Sequence, residues 1–197
     1  MTTLDTRGCS FATVIAMPEG YEVYDFTAGY DPARALRSPY GVGRYDEKRR
    51  GMYTAALFEG ARDVHMGVDL AAPVGTAVHA FADGAVHRFG YNPAPGDYGY
   101  TLVTRHEVNG TAVYALHGHL AARSLEGRFE GQPVARGEVI AWLGDRHENG
   151  GWNPHLHFQL SLVRPEVPDL PGVVSERDRE EARRRYPDPR LVLGPLY

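Results

Sequence analysis

Between about residue 64 and residue 163 the chain alternates short apolar or β-branched runs with turn residues. Residues 76–81, 85–90, 100–106, 111–119, 138–143 and 156–162 each read as a strand, because their apolar positions recur with period two or fill a short run. Gly75, Asp83-Gly84, Asn109-Gly110, Gly137 and Gly144 bound these runs. Asn109-Gly110 is a two-residue hairpin signal, since both residues tolerate the positive φ that a tight strand connection needs. No long helical period separates the runs, which disfavours parallel βαβ units. The pattern predicts an all-β domain, an antiparallel and partly open barrel or sandwich. In the last run the alternation is clean: His155, His157, Gln159 and Ser161 share one face, and Leu156, Phe158, Leu160 and Leu162 share the other. One face is core; the other carries two imidazoles.

The flanks differ in character. Residues 1–61 form a leader rich in Tyr and Arg, in which residues 11–17 read as one strand and Gly and Pro break up the rest. Tyr21, Tyr24, Phe26, Tyr30, Tyr40 and Tyr45 are too many aromatics for a solvated tail, so the leader is expected to wrap the central domain of residues 62–163. In the final segment, 164–197, Ser175-Glu-Arg-Asp178 resembles a capping box opening a helix that runs to Tyr186 and stops at Pro187-Asp-Pro189. Arg183, Arg184 and Arg185 suit the negative end of that helix.

Composition narrows the function. A chain of 197 residues is one domain with arms, long enough to bury a core without staples. The formal net charge of −4 argues against a nucleic-acid partner. No run approaches the roughly 18 apolar residues of a membrane helix, so no membrane partner is expected. The single cysteine, Cys9, excludes an internal disulfide and a Cys-rich zinc finger, and it fits a reducing compartment. The opening residues carry Asp5 and Arg7 before a short run interrupted by Thr13, less basic and less apolar than an export signal. The expected location is therefore cytoplasmic.

Nine histidines carry the candidate chemistry. His155 and His157 form one pair on a strand face. His117 and His119, separated by Gly118, form a second pair read as sharing a face. In His65-Met-Gly-Val-Asp69 the glycine, the valine and the following Ala-Ala-Pro73 disfavour a helix, so this piece is placed on a loop leading into a strand. His79, His87, His106 and His147 read as ordinary surface or capping residues. Two imidazoles and one carboxylate make a three-ligand zinc set with a fourth position left for water, and further imidazoles can then act on that water.

The ordered motifs resemble those of the lysostaphin/LytM-type zinc metalloendopeptidases, many of which cleave peptidoglycan cross-links. The resemblance rests on His65-Met-Gly-Val-Asp-Leu-Ala-Ala-Pro-Val-Gly-Thr-Ala-Val78, His117-Gly-His-Leu120 and His155-Leu-His-Phe158. Gly131-Gln-Pro-Val-Ala-Arg-Gly-Glu-Val-Ile140 resembles the family's Gly-Gln-x-Val-x-x-Gly hairpin. It implies a duplicated-hybrid-motif-like fold, Zn2+ held by His65, Asp69 and His157, and His119 and His155 as a catalytic pair outside the ligand set. It implies a peptide or peptidoglycan-derived substrate and, as the alternative location, the cell wall. His117 stands where the family often has Tyr, and Gln159 where it usually has Glu. The loop Arg146-His-Glu-Asn-Gly-Gly-Trp-Asn-Pro154 is unlike the usual short one. A Tyr near the metal from just upstream is also a family habit; the nearest such residue here is Tyr53. Two other classes compete with the peptidase: a zinc-bearing scaffold or regulatory module without turnover, and a histidine phosphocarrier-like domain.

Overall fold

The structure is a computed structural model in which residues 4–31 and 38–197 are described, so part of the expected leader lies outside the described residues. The leader contributes strands β1 (Glu22–Val23), β2 (Gly41–Gly43) and β3 (Glu47–Lys48). The central segment contributes β4 (Arg62–His65), β5 (Val68–Ala71), β6 (Ala77–His79), β7 (Gly84–Asn92), β8 (Gly99–Val108), β9 (Thr111–Leu120), β10 (Pro133–Val134), β11 (Val139–Trp142) and β12 (His155–Ser161). The final segment adds β13 (Val173–Ser175) and two short helices, α1 (Arg179–Arg185) and α2 (Arg190–Leu193).

The longest ladder is the β8–β9 hairpin. Asn109 (φ 47°) and Gly110 (φ 76°) make its two-residue turn, with Val108 opposite Thr111. From there an eight-stranded sheet runs in the order β1-β2-β5-β12-β9-β8-β7-β10. Its pairings are antiparallel except β1–β2, which is parallel. The sheet stays open, because its outer strands β1 and β10 do not meet. Both faces are covered. On one side Val78, Ile140 and Ala141 of the β6–β11 pair, with Ala80 just past β6, pack on Leu102, Ala115, Leu156, Phe158 and Leu160. On the other, Val64, Met66, Val174 and Ala182 of β4, its link, β13 and α1 pack with Val103 and Leu116. Gln159 and Ser161, on the polar face of β12, are therefore fully buried as well.

All six central runs form strands, with ends shifted by up to a few residues. Residues 11–17 do not form one. They run beside β6 through two bonds, Ala12 N–H to Phe81 O and His79 N–H to Val14 O, while Val14 and Ile15 are buried in the core. Two isolated bonds fix a path without building a ladder. The C-terminal helix also starts later than its capping box suggests. Residues 173–175 pair with β4 instead, and the Ser175 hydroxyl donates to the Asp178 carboxylate.

His106 and His117 are not surface residues. His106 is 1% exposed, with Nδ1 bonded to Asp83 O and Nε2 to the Thr104 hydroxyl. His117 is fully buried, and its Nδ1–H donates to Leu102 O. Burial pushes both down to about 4 from the ordinary 6.5. The unfolded chain therefore binds protons that the native one refuses between those values. Stability should be intact above pH 6.5 and fall as pH drops to about 4, by roughly 3 kcal/mol per imidazole. Urea midpoints measured from pH 7.5 to 4.5 check this. The His106→Gln/His117→Gln variant should show a flatter pH dependence than the parent, and an unchanged slope would refute the assignment.

Candidate active site

Three strands bring the candidate ligands together. His65 closes β4, and Asp69 is the second residue of β5. Only Met66 and Gly67 link them, so His65 and Asp69 sit on strands rather than on the loop the sequence suggests. Gly67 is required by contact: a Cβ there would lie 2.5 Å from Cε1 of His157. On β12, His157 stands opposite Asp69 of β5 and Gly118 of β9.

The result is a triangle of donor atoms. His65 Nε2 lies 3.0 Å from His157 Nδ1, and Asp69 Oδ1 lies 3.1 Å from each. The tautomers follow from the outer partners. His65 Nδ1 is 2.9 Å from the carbonyl of Arg44, which can only accept, so the proton sits on Nδ1 and the Nε2 lone pair points inward. His157 Nε2 is 3.0 Å from Gln159 Oε1, whose amide nitrogen in turn donates to Pro171 O. That proton therefore sits on Nε2, and Nδ1 offers its lone pair. Two lone pairs and a carboxylate oxygen converge with no proton between them, an arrangement that calls for a cation. A tetrahedral zinc with bonds of about 2.0–2.1 Å has ligand–ligand edges of about 3.3 Å, so these donors fit after moving a few tenths of an ångström. His65, Asp69 and His157 are also the group of the described residues whose donor atoms could hold one ion.

Burial lowers His65 to about 4, and the Arg49 guanidinium adds to the effect. Burial pushes the Asp69 carboxyl upward, but His65 and Arg49 outweigh it and hold Asp69 well below the usual carboxylate range. At neutral pH His65 is thus neutral and Asp69 ionised, the states a metal requires of these two ligands.

His119 reaches the same cavity by breaking the strand pattern. Opposite the two-residue step from Tyr100 to Leu102 on β8, β9 spends three, from His117 to Leu120. His119 takes a φ of 64° within this bulge. Regular alternation would turn His119 the way His117 points, onto Phe158 in the core. The bulge instead brings its ring to 4.3 Å from that of His155, centre to centre and tilted by 42°. His117 and His119 therefore do not share a face, contrary to the sequence reading, and His117 is a core residue. His119 Nδ1–H donates to Asn149 O at 2.8 Å, and His155 Nδ1–H to Asn153 O at 2.6 Å. Each keeps Nε2 as an acceptor. Burial lowers both imidazoles, His119 well below the usual value with His155 and His157 adding repulsion.

Several contributors were not singled out from sequence. Tyr98 lies with its hydroxyl 3.4 Å from His157 Nε2 and 3.1 Å from Leu170 O, and its ring meets both His119 and His157. It comes from downstream of His65 and Asp69, whereas Tyr53, upstream, reaches the ligands through Arg49 and meets the Trp152 ring. Asn149, fully buried, folds the 146–154 loop by accepting from Gly151 and Trp152 N–H, which aims its own carbonyl at His119. The unusual Glu-Asn-Gly-Gly-Trp string was the available signal. Arg49 donates to Asp69 Oδ2 at 2.6 Å, and nothing in the charge-rich leader marks it out from its neighbours.

These groups open onto a cavity of about 860 Å³. The core supplies His65, Asp69, His119, His155 and His157 to its floor. The leader supplies Tyr24, Phe26, Tyr30 and Tyr53 to its walls, and Trp152 stands on the opposite loop.

An open, doubly covered β-sheet with a His-Asp-His triangle beside a close imidazole pair defines a metallopeptidase-class domain. Residues 63–167 match Peptidase family M23, and the chain belongs to that family. This bears out the lysostaphin/LytM-type resemblance. Over 100 residues the chain is 40% identical to the DD-carboxypeptidase/endopeptidase Mpg of Neisseria meningitidis, a match covering 50% of this chain and 20% of that protein. Over 181 residues it is 30% identical to the peptidoglycan DD-endopeptidase ShyC of Vibrio cholerae, covering 88% of this chain and 38% of that protein. The chain thus spans well under half the length of these curated relatives. Among solved structures, the catalytic domain of lysostaphin from Staphylococcus simulans is 21% identical with a TM-score of 0.46, covering 73% of this chain and 92% of that one.

Proposed function

We propose that this chain is a zinc metalloendopeptidase domain that hydrolyses peptide bonds in peptidoglycan-derived peptides, with His65, Asp69 and His157 as the metal ligands. The convergence of three unprotonated donors beside a second, independently oriented imidazole pair carries this reading. Membership of family M23 supports the class of reaction, and the names of Mpg and ShyC support the substrate. When bound, zinc supplies Lewis acidity toward the scissile carbonyl and the attacking water. His119 and His155 handle the protons. Both are neutral at pH 7, and both keep Nε2 as the acceptor because a backbone carbonyl engages Nδ1–H. One takes the proton of the attacking water, and the other stabilises the developing negative charge or protonates the leaving amine. A scaffold without turnover would not need this second pair held in a defined tautomer.

The walls favour small substrates. Leader aromatics and Trp152 enclose the space above the ligands, which suits a short peptide better than a polymer network. The proposed setting is accordingly the cytoplasm, where soluble wall fragments are the available form of the substrate. With zinc loaded, soluble cross-linked muropeptides should be cleaved faster than intact sacculi. Mass spectrometry of the products, beside fractionation of cells, checks both parts. Zinc-loaded protein that cleaves no cross-linked peptide would favour the scaffold. Efficient lysis of sacculi by protein recovered outside the membrane would place the enzyme at the wall.

A further inference from the structure

Arg49 lies in the leader, outside the residues that match the family. Its side chain is 2% exposed, and the structure gives every nitrogen a partner. Nε donates to Glu47 Oε2 at 2.9 Å. Nη1 donates to Asp69 Oδ2 at 2.6 Å and to the Tyr53 hydroxyl at 3.1 Å. Nη2 donates to Arg44 O at 3.1 Å, and the guanidinium sits 5.1 Å from the centre of the Phe26 ring. The same Arg44 carbonyl accepts from His65 Nδ1. One short stretch, residues 44–49, therefore holds two of the three candidate ligands from behind.

The space for this contact is made by a glycine. Gly43 of β2 stands opposite Asp69, and a Cβ on it would come 2.7 Å from Arg49 Nη2 and 2.9 Å from Asp69 Oδ2. A carboxylate left to itself can rotate or offer both oxygens to an ion. With Oδ2 taken by the guanidinium, Oδ1 alone faces His65 Nε2 and His157 Nδ1. A charge-assisted bond of this length also fixes the plane of the carboxylate.

We infer that Arg49 is the positioning residue of the metal centre, holding Asp69 as a one-oxygen ligand, and that the leader segment 44–49 forms the outer support of the site. The inference rests on the metal reading above. Partners of this kind around metal ligands set affinity by about 10–100-fold. Arg49 also neutralises one of two carboxylates, the buried Glu47 and the partly buried Asp69, so a test must separate positioning from charge burial.

Four variants do so: Arg49→Met, Arg49→Lys, Glu47→Gln/Arg49→Met and Gly43→Ala. Zinc affinity is measured by competition with a chelating dye, Co2+ absorption reports ligand geometry, and thermal unfolding of the metal-free protein reports the fold. Arg49→Met should bind zinc about 10–100-fold more weakly and shift the Co2+ bands. Arg49→Lys should recover part of the loss, since an ammonium can reach Oδ2 but cannot serve Arg44 O and Glu47 at once. The double variant removes the unpaired buried Glu47 charge, so it should recover thermal stability and still bind zinc weakly. Gly43→Ala should weaken zinc with Arg49 present, and together with Arg49→Lys it serves if Arg49→Met does not fold. Wild-type affinity and an unchanged Co2+ spectrum in folded Arg49→Met overturn the inference. So does wild-type affinity in the double variant, which would reduce Arg49 to charge balance. Parent protein that binds no zinc overturns the metal reading, and this inference with it.

Discussion

The parent protein is expected to hold about one zinc ion per chain, and His157→Ala and Asp69→Ala are expected to lose it, and hydrolysis with it. Each removes one corner of a triangle whose edges are 3.0–3.1 Å, and two protein donors hold zinc poorly. The two losses differ in their side effects. Without the His157 ring, Gln159 Oε1 loses its donor in a fully buried position, which adds a folding cost of about 1–3 kcal/mol. Without the Asp69 carboxylate, Arg49 keeps Glu47 but loses its closest partner. Asp69→Asn keeps the shape of the side chain and is the control that separates lost ligation from lost folding. Elemental analysis after exhaustive dialysis gives the answer. Stoichiometric zinc in all three variants would overturn the ligand assignment.

The second large effect falls on catalysis alone. His155→Ala and a replacement at His119 should keep zinc and fold but lose hydrolysis by about two to four orders of magnitude, the scale of a removed acid or base. At His119 the substitution must respect the backbone. Its φ of 64° is costly for alanine and tolerated by asparagine, so His119→Asn preserves the bulge while removing the imidazole. His155 lies on a regular strand, where alanine imposes no such penalty. Turnover of the most readily cleaved muropeptide, beside metal content, separates the roles. A variant that loses its metal would identify that histidine as a ligand and show the two roles to be exchanged.

The strand pattern, the hairpin at Asn109-Gly110 and the family resemblance were all legible in the sequence, because each depends on local periodicity or on ordered motifs. The His65, Asp69 and His157 triangle could be named from those motifs, and the structure brings the three together. What local pattern could not supply was register. The two histidines of His117-Gly-His119 look equivalent by spacing, yet one extra residue in β9 sends them to opposite faces. The outer partners were hidden for a related reason. Arg49 meets Asp69 across 20 residues and Asn149 meets His119 across 30, contacts made by the packing of separate elements. At the C-terminal capping box Asp178 N–H does donate to the Ser175 hydroxyl, but the helix starts later because residues 173–175 pair with β4 and hold Ser175 in a strand.

The triangle of donors joins positions 88 and 92 residues apart in the chain. A chelate with such separations does not exist in a chain whose sheet is still unzipped, so metal uptake must follow the docking of β12 between β5 and β9. A slip of one residue in that docking would turn His157 toward the core and bring Leu156 or Phe158 in its place. On the proposed ligand set, zinc would recognise only the correctly registered sheet. Each tenfold rise of free ion above its dissociation constant favours that register over every competitor by about 1.4 kcal/mol. An ion held by these three donors would by the same geometry act as a proofreader of the domain's folding.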